Sequence, residues 1–254
     1  IEYERIFQTE NINKIKSVEL TPKRYVRNES FGWVTQPHFN RLSNSIIFGF
    51  HRPDELAVLE ILNLSTGEPI ELTSLPTPSL ISVASTAYDE QNKLFFFTTN
   101  NNEFYRDIWI LDVLRGEKKL LFEDCRVGHL SLSEKSKDLW GIQHSGGKAV
   151  LVYSPHPYNS IEQLIGFDIG DEIHHLAANH SGKMITAVFH KANGQQSIIV
   201  FESEKLKQGT ALEYEIIASA GSPENPSWSK DDNYIYWNAY TNGVSNIYRY
   251  NFSD

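Results

Sequence analysis

The hydrophobic residues of this chain fall into short runs separated by polar turns, and the same succession returns five times. RLSNSIIFGF begins at Arg41, DEQNKLFFFTT at Asp89, EKSKDLWGIQ at Glu134, NHSGKMITAVF at Asn179 and SKDDNYIYWNA at Ser229, so successive starts lie 48, 45, 45 and 50 residues apart. Each run is preceded by a stretch of small and apolar residues: QPHF, ASTAY, HLSL, HLAA and NPSW. Each is followed, after a loop, by a segment rich in β-formers: LAVLEIL, RDIWILDV, KAVLVYS, QSIIVFE and SNIYRYN. Gly, Asn, Asp, Ser and Lys between the runs supply hairpin turns. A fourth strand can be drawn in most units, as EKKLLFE at 117–123 and LEYEIIA at 212–218. Helical periodicity is weak throughout, its best candidate being the SPHPYNSIEQL segment near Ser160.

Four strands per unit at a period of about 40–50 residues is the pattern of a β-propeller blade. The expected fold class is all-β, a single propeller domain over 1–254 with units at approximately 36–81, 82–127, 128–173, 174–224 and 225–254. The last unit holds only about three strands, and residues 1–35, through YERIFQ or RYVRNESFGW, are expected to complete it. This gives five blades closed by N- and C-terminal strands, or a truncated six-bladed parent.

The last unit, ENPSWSKDDNYIYWNAYTNGVSNIYRYN, resembles the TolB-like propeller repeat, in which P-x-W-S-x-D-G-x-x-I-x-F precedes a Gly turn and an N-I-Y strand. Pro226, Trp228, Ser229, Asp231, Ile235, Gly243, Asn246, Ile247 and Tyr248 fit the pattern, while Asn233 is read as standing where the repeat has glycine or a neighbouring small residue. The middle of the chain, from STAYDEQNKLFFFTT through LWGIQHSGGKAVLV, is similar to propeller segments of large bacterial cell-envelope proteins. That resemblance implies a periplasmic or envelope location and a neighbouring peptidase-like domain in the parent protein.

Composition narrows the partners. The net charge of −9 leaves no basic stripe for phosphates, so nucleic acid is not an expected partner. One cysteine, Cys125, excludes an internal disulfide framework and a cysteine-rich zinc site. No apolar run approaches the roughly 18–20 residues that span a bilayer, so direct membrane insertion is not expected. The chain opens on Ile1 and is read as processed or excised from a longer protein.

Candidate chemistry collects where strands end. In a propeller the loop between second and third strands shares one face with the link from an outer strand to the next inner strand. His51, His144 and His190 fall at the ends of second strands, and His38, His129, His174 and His175 at the starts of inner strands. Converging imidazoles suit a transition metal or a pH-responsive rim, since an unperturbed histidine titrates near 6.5. Turns on separate blades lie too far apart for all to reach one ion, and the plainer reading is that of exposed turn residues. Adjacent His174 and His175 are expected on opposite faces of their strand. In the second unit NNNEFYRD replaces histidine, and Asn101, Tyr105 and Arg106 are suited to bonding a sugar or peptide backbone, or else form an asparagine-rich turn. Asp89, Asp138, Asp231 and Asp232 are expected to bond their own turns, and Trp33, Trp109, Trp140, Trp228 and Trp237 to pack between blades.

No G-x-S-x-G, H-E-x-x-H or G-x-x-x-x-G-K-[ST] motif occurs. The leading expectation is a non-catalytic module that recognises a protein, peptide or glycan on this face, with no cofactor. The alternatives are a hydrolase or lyase with a metal or carboxylate site in the funnel, and a gate or scaffold for an adjacent peptidase domain.

Overall fold

A computed structural model describes residues 33–40, 44–51, 58–74, 85–101, 103, 105–209, 213–241 and 243–252. The fold is an all-β propeller with five blades. β1 to β4 (Trp33–Asn40, Ser45–His51, Val58–Asn63, Pro69–Ser74) form the first antiparallel sheet, and β5 to β8 (Thr86–Asp89, Leu94–Asn100, Arg106–Asp112, Glu117–Phe122) the second. β9 to β12 (Val127–Leu132, Leu139–Ser145, Lys148–Ser154, Glu162–Gly166) form the third, and β13 to β16 (Glu172–Ala178, Met184–His190, Gln196–Glu202, Glu215–Ala218) the fourth. The fifth has three strands among the described residues, β17 to β19 (Glu224–Trp228, Tyr234–Thr241, Val244–Asn251). The closing strand expected from residues 1–35 falls on residues 1–32, outside the described ones, and on 33–35, which open β1. The only helix among the described residues is a single turn, α1 (Ser203–Lys207), placed after β15. The segment near Ser160 is instead a turn leading into β12, which corrects the helical expectation.

The described residues divide into two compact units, one from Trp33 through Leu130 and the other from Ser131 onward. In the unit through Leu130, Phe95 and Phe97 of β6 and Leu111 of β7 pack with Ile47 and Leu59 of the first sheet. In the other, Trp140, Ile142 and Leu151 of the third sheet meet Ile185, Ala187, Phe189 and Ile199 of the fourth. The opposite face of that fourth sheet, Val188, Ile198 and Val200, meets Ile235, Trp237 and Ala239 of the fifth. A middle strand is therefore buried on both faces. That is why LFFFTT and MITAVF read as continuous apolar runs, whereas the outer strand β8 mixes exposed and half-buried positions.

His38 belongs to this packing. It pairs with Ile47 well inside β1, its Nε2 lies 2.7 Å from Thr86 Oγ1 of the neighbouring sheet, and its ring meets the Phe95 ring edge-on at 6.1 Å. Burial pushes its pKa from 6.5 down to about 4, with the Thr86 contact acting in the opposite direction.

Between the first and second strands the turns repeat a single hydrogen bond: Ser133 N–H to Asp138 O, Asn179 N–H to Met184 O, Ser229 N–H to Tyr234 O. Asp89 caps its own turn, accepting from the N–H groups of Gln91 and Asn92, and Asp231 accepts from Asn233 N–H. Asp138 and Asp232 depart from that expectation. The Asp138 carboxylate receives Lys207 Nζ at 2.9 Å. Asp232 reaches the neighbouring turn and accepts the N–H groups of His180 at 2.7 Å and Ser181 at 2.9 Å. Asp232 also carries φ +62°, as Gly182 carries +78° in the preceding turn. The glycine position of the repeat is thus Asp232, not Asn233. At Gly182 a Cβ would stand 2.6 Å from Ser136 Oγ, so glycine is required twice over. At Asp232 the strained backbone is offset by two charge-assisted bonds across blades.

Two outcomes follow. Asp232→Ala, which removes both bonds and keeps the strain, lowers unfolding free energy by about 2–3 kcal/mol. Asp232→Gly loses about 1 kcal/mol less; a denaturant midpoint for Asp232→Gly at or above wild type contradicts the cross-blade bond. For His38, the folded chain binds fewer protons than the unfolded one between pH 6.5 and about 4. Stability therefore falls as pH drops through that window, by about 3 kcal/mol from this group. His38→Gln flattens the acid limb of a pH–melting curve; an unchanged limb refutes the assignment.

Candidate binding sites at the strand ends

The hairpin β10–β11 turns on Gly146 and Gly147, with φ of +58° and +76°, as a tight two-residue hairpin requires. His144, just before the turn, pairs with Ala149 and is exposed. Asp138, Met184 and Ser45 occupy the same register after the turn that follows the first strand. Counted from them, His144, His190 and His51 share one offset of six (144−138, 190−184, 51−45). The same position holds Asn100 (100−94) in the second blade and Tyr240 (240−234) in the fifth. Tyr240, 61 % exposed, was open to the same register argument but has no imidazole to draw attention to it. His51 ends β2; its side chain lies outside the described residues.

In the unit from Ser131 onward, the strand ends of the fourth and fifth sheets gather polar groups. Glu172 pairs with His190 and His174 with Val188, so these side chains share the face on which Val188 meets the fifth sheet. Alternation then places His175 on the other face. The register, however, shifts between His174 and Ala177, and His175 adopts φ +50°. This bulge brings the two imidazoles to 4.8 Å between centroids at an angle of 76°. The expectation that His174 and His175 lie on opposite faces of a regular strand is corrected by the bulge.

Burial lowers the pKa of His174, with His175 and His190 adding to the fall and Glu172 and Glu224 opposing it. Burial likewise lowers that of His175, against Glu224. Both rings are accordingly neutral at pH 7, each able to donate at one nitrogen and accept at the other. Gln196 Nε2 donates to Pro223 O at 3.0 Å, and Asn225 Nδ2 to Asn238 Oδ1 at 2.8 Å, holding the flanking strands. Glu172 and Glu224 join the site only through strand pairing and the approach of the fifth sheet, and no spacing in the sequence announces them. Among the described residues, no three His, Cys, Asp or Glu side chains are arranged to hold a metal ion. The arrangement suits hydrogen bonding to a polar ligand.

The other unit carries Asn101, Tyr105, Arg106 and His129. The Asn101 side chain is saturated by its own loop: Oδ1 accepts from Glu103 and Tyr105 N–H, and Nδ2 donates to Asp107 and Asp124. It shapes the turn and leaves no valence for a ligand. The exposed Tyr105 ring lies 4.2 Å below the Arg126 guanidinium. Arg106 opens β7, half-buried, with its guanidinium over Gly128 of β9. His129 is half-buried and left-handed at φ +51°. It stands in its blade where His175 and Asn225 (φ +53°) stand in theirs.

No family model and no curated protein sequence matches the chain. Solved structures do. TolB from Acinetobacter baumannii aligns with a TM-score of 0.68 at 14% identity, covering 86% of this chain and 54% of that one. The chain thus spans about half the length of that TolB. The structure of putative TolB from Agrobacterium tumefaciens aligns at 0.68 with 11% identity over 87% and 78% of the two chains. The β-propeller domain of the trilobed protease from Pyrococcus furiosus aligns at 0.55 with 12% identity over 87% and 82%. At these identities the likeness concerns the fold, and that fold is a TolB-like β-propeller.

Proposed function

We propose that this chain is a non-catalytic recognition module of a larger bacterial cell-envelope protein, binding a protein, peptide or glycan through its strand-end loops. The observation that supports this most directly is the cluster of His174, His175 and His190 with Glu172 and Glu224. The His174 and His175 imidazoles are half-buried and neutral, and they stand together with the other polar side chains of the cluster. The TolB-like character of the repeat supports the envelope location, and the absence of any described helix long and apolar enough to cross a membrane is compatible with it.

A gate or docking platform for a peptidase domain is the second reading, favoured by the shared fold with the Pyrococcus protease propeller. It differs in partner and not in mechanism, since it too uses the strand-end loops.

The test is saturable binding of the immobilised chain to peptide and glycan arrays. His144→Ala with His190→Ala weakens the strongest interaction at least tenfold, about 1.4 kcal/mol, and His51→Ala adds to the loss. Binding that ignores all three replacements overturns the reading, as does a stoichiometric metal on elemental analysis together with turnover of the bound compound.

A further inference from the structure

Arg106 is one of two cationic side chains, with Lys93, that carry a buried polar atom without a hydrogen-bond partner among the described residues. Its Nε is buried with no hydrogen-bond partner, and among the described residues its guanidinium makes neither an ion pair nor a hydrogen bond. A guanidinium keeps its charge at every physiological pH and offers five N–H donors. Leaving it half-buried without an acceptor has a desolvation cost that surface arginines avoid.

Among the described residues, the groups closest to it in sequence and space are otherwise engaged. Asp107, next in sequence, projects from the opposite face of β7. Its Oδ1 accepts from Asp124 N–H at 2.8 Å and from Asn101 Nδ2 at 3.1 Å. Asp124 also takes Asn101 Nδ2. The Cys125 thiol, which donates to Arg106 O at 3.2 Å, is pushed up by burial and remains uncharged at neutral pH. The second cation nearby, Arg126, is exposed and lies over Tyr105. On its remaining side Arg106 meets bare backbone: a Cβ on Gly128 would fall 2.5 Å from Nη1. Glycine here keeps open the space that the guanidinium occupies.

We propose that Arg106, with Gly128 beneath it, forms a binding site for a carboxylate, as borne by an acidic side chain, a chain terminus or an acidic sugar. A planar carboxylate matches one edge of the guanidinium with two parallel hydrogen bonds. One half-buried cation balances one monoanion. A phosphate dianion calls for a second committed cation, and Arg126 is held over the tyrosine ring. This site lies on the second blade and is independent of the histidine cluster, so either proposal can fail without the other.

The experiment follows the Arg106 Nε–H resonance of the whole ¹⁵N-labelled chain at pH 7 during titration with sodium acetate, sodium glutarate, sodium phosphate and sodium chloride at matched ionic strength. Acetate and glutarate produce a saturable shift that chloride does not, and phosphate binds more weakly. Gly128→Ala displaces the guanidinium without removing charge and weakens carboxylate binding at least tenfold. Arg126→Gln changes it by less than about twofold, since exposed charges contribute little. Arg106→Gln abolishes chemical-shift changes in the neighbouring Tyr105 and Gly128 amides; if that variant does not fold, Gly128→Ala decides. An unmoved Nε–H in the wild type, tighter phosphate than carboxylate binding, or equal losses in Arg126→Gln and Gly128→Ala overturns the assignment.

Discussion

The middle strands β6, β14 and β15 have no solvent face along their interiors, and much of the molecule follows from that. Phe95, Phe96 and Phe97 are successive residues pointing to alternating sides, yet all are fully buried. The same holds for Ile198 and Ile199, which enter different clusters on the two faces of one sheet. A strand held this way cannot carry charge in its interior without a partner, so ionisable side chains are displaced to where strands begin and end. His144, His174, His190 and Arg106 sit at such ends, whereas His38, farther along its strand, has lost its tendency to protonate.

The same constraint decides how legible the chain is. Because both faces are apolar, β-strands appear as unbroken hydrophobic runs, and their recurrence with a fixed turn between them reveals blades without any alternation rule. Register within the second strand also survives translation, so the shared position of His51, His144 and His190 could be counted directly. The first strands are different. A bulge adds a residue between His174 and Ala177 and turns His175 left-handed, and two-fold alternation then misplaces every side chain on one side of it. Nothing in HHLAA distinguishes a bulged strand from a regular one. Asn101 was misleading for another reason: an amide in a polar loop looks available until its four valences are traced to neighbours.

The two polar sites illustrate different ways of holding function on this scaffold. The histidine cluster is made by strand pairing and by the approach of the fifth sheet, so its chemistry depends on packing in that unit. Arg106 depends on an absence, the missing side chain at Gly128. In both cases the decisive neighbour comes from another blade and lies many residues away in sequence, although within a blade the repeat is read locally.

The turns that follow the first strands carry a further implication. Gly182 and Asp232 answer an identical backbone demand in opposite ways. One does so by having no side chain where Ser136 crowds in, the other by extending a carboxylate to the preceding turn. Each turn is thus fitted to the blade before it and not to blades in general. The units share a pattern but are not interchangeable parts: exchanging the fourth and fifth would place a carboxylate against Ser136 and a glycine where two amides await an acceptor. The order of the blades is written into their turns.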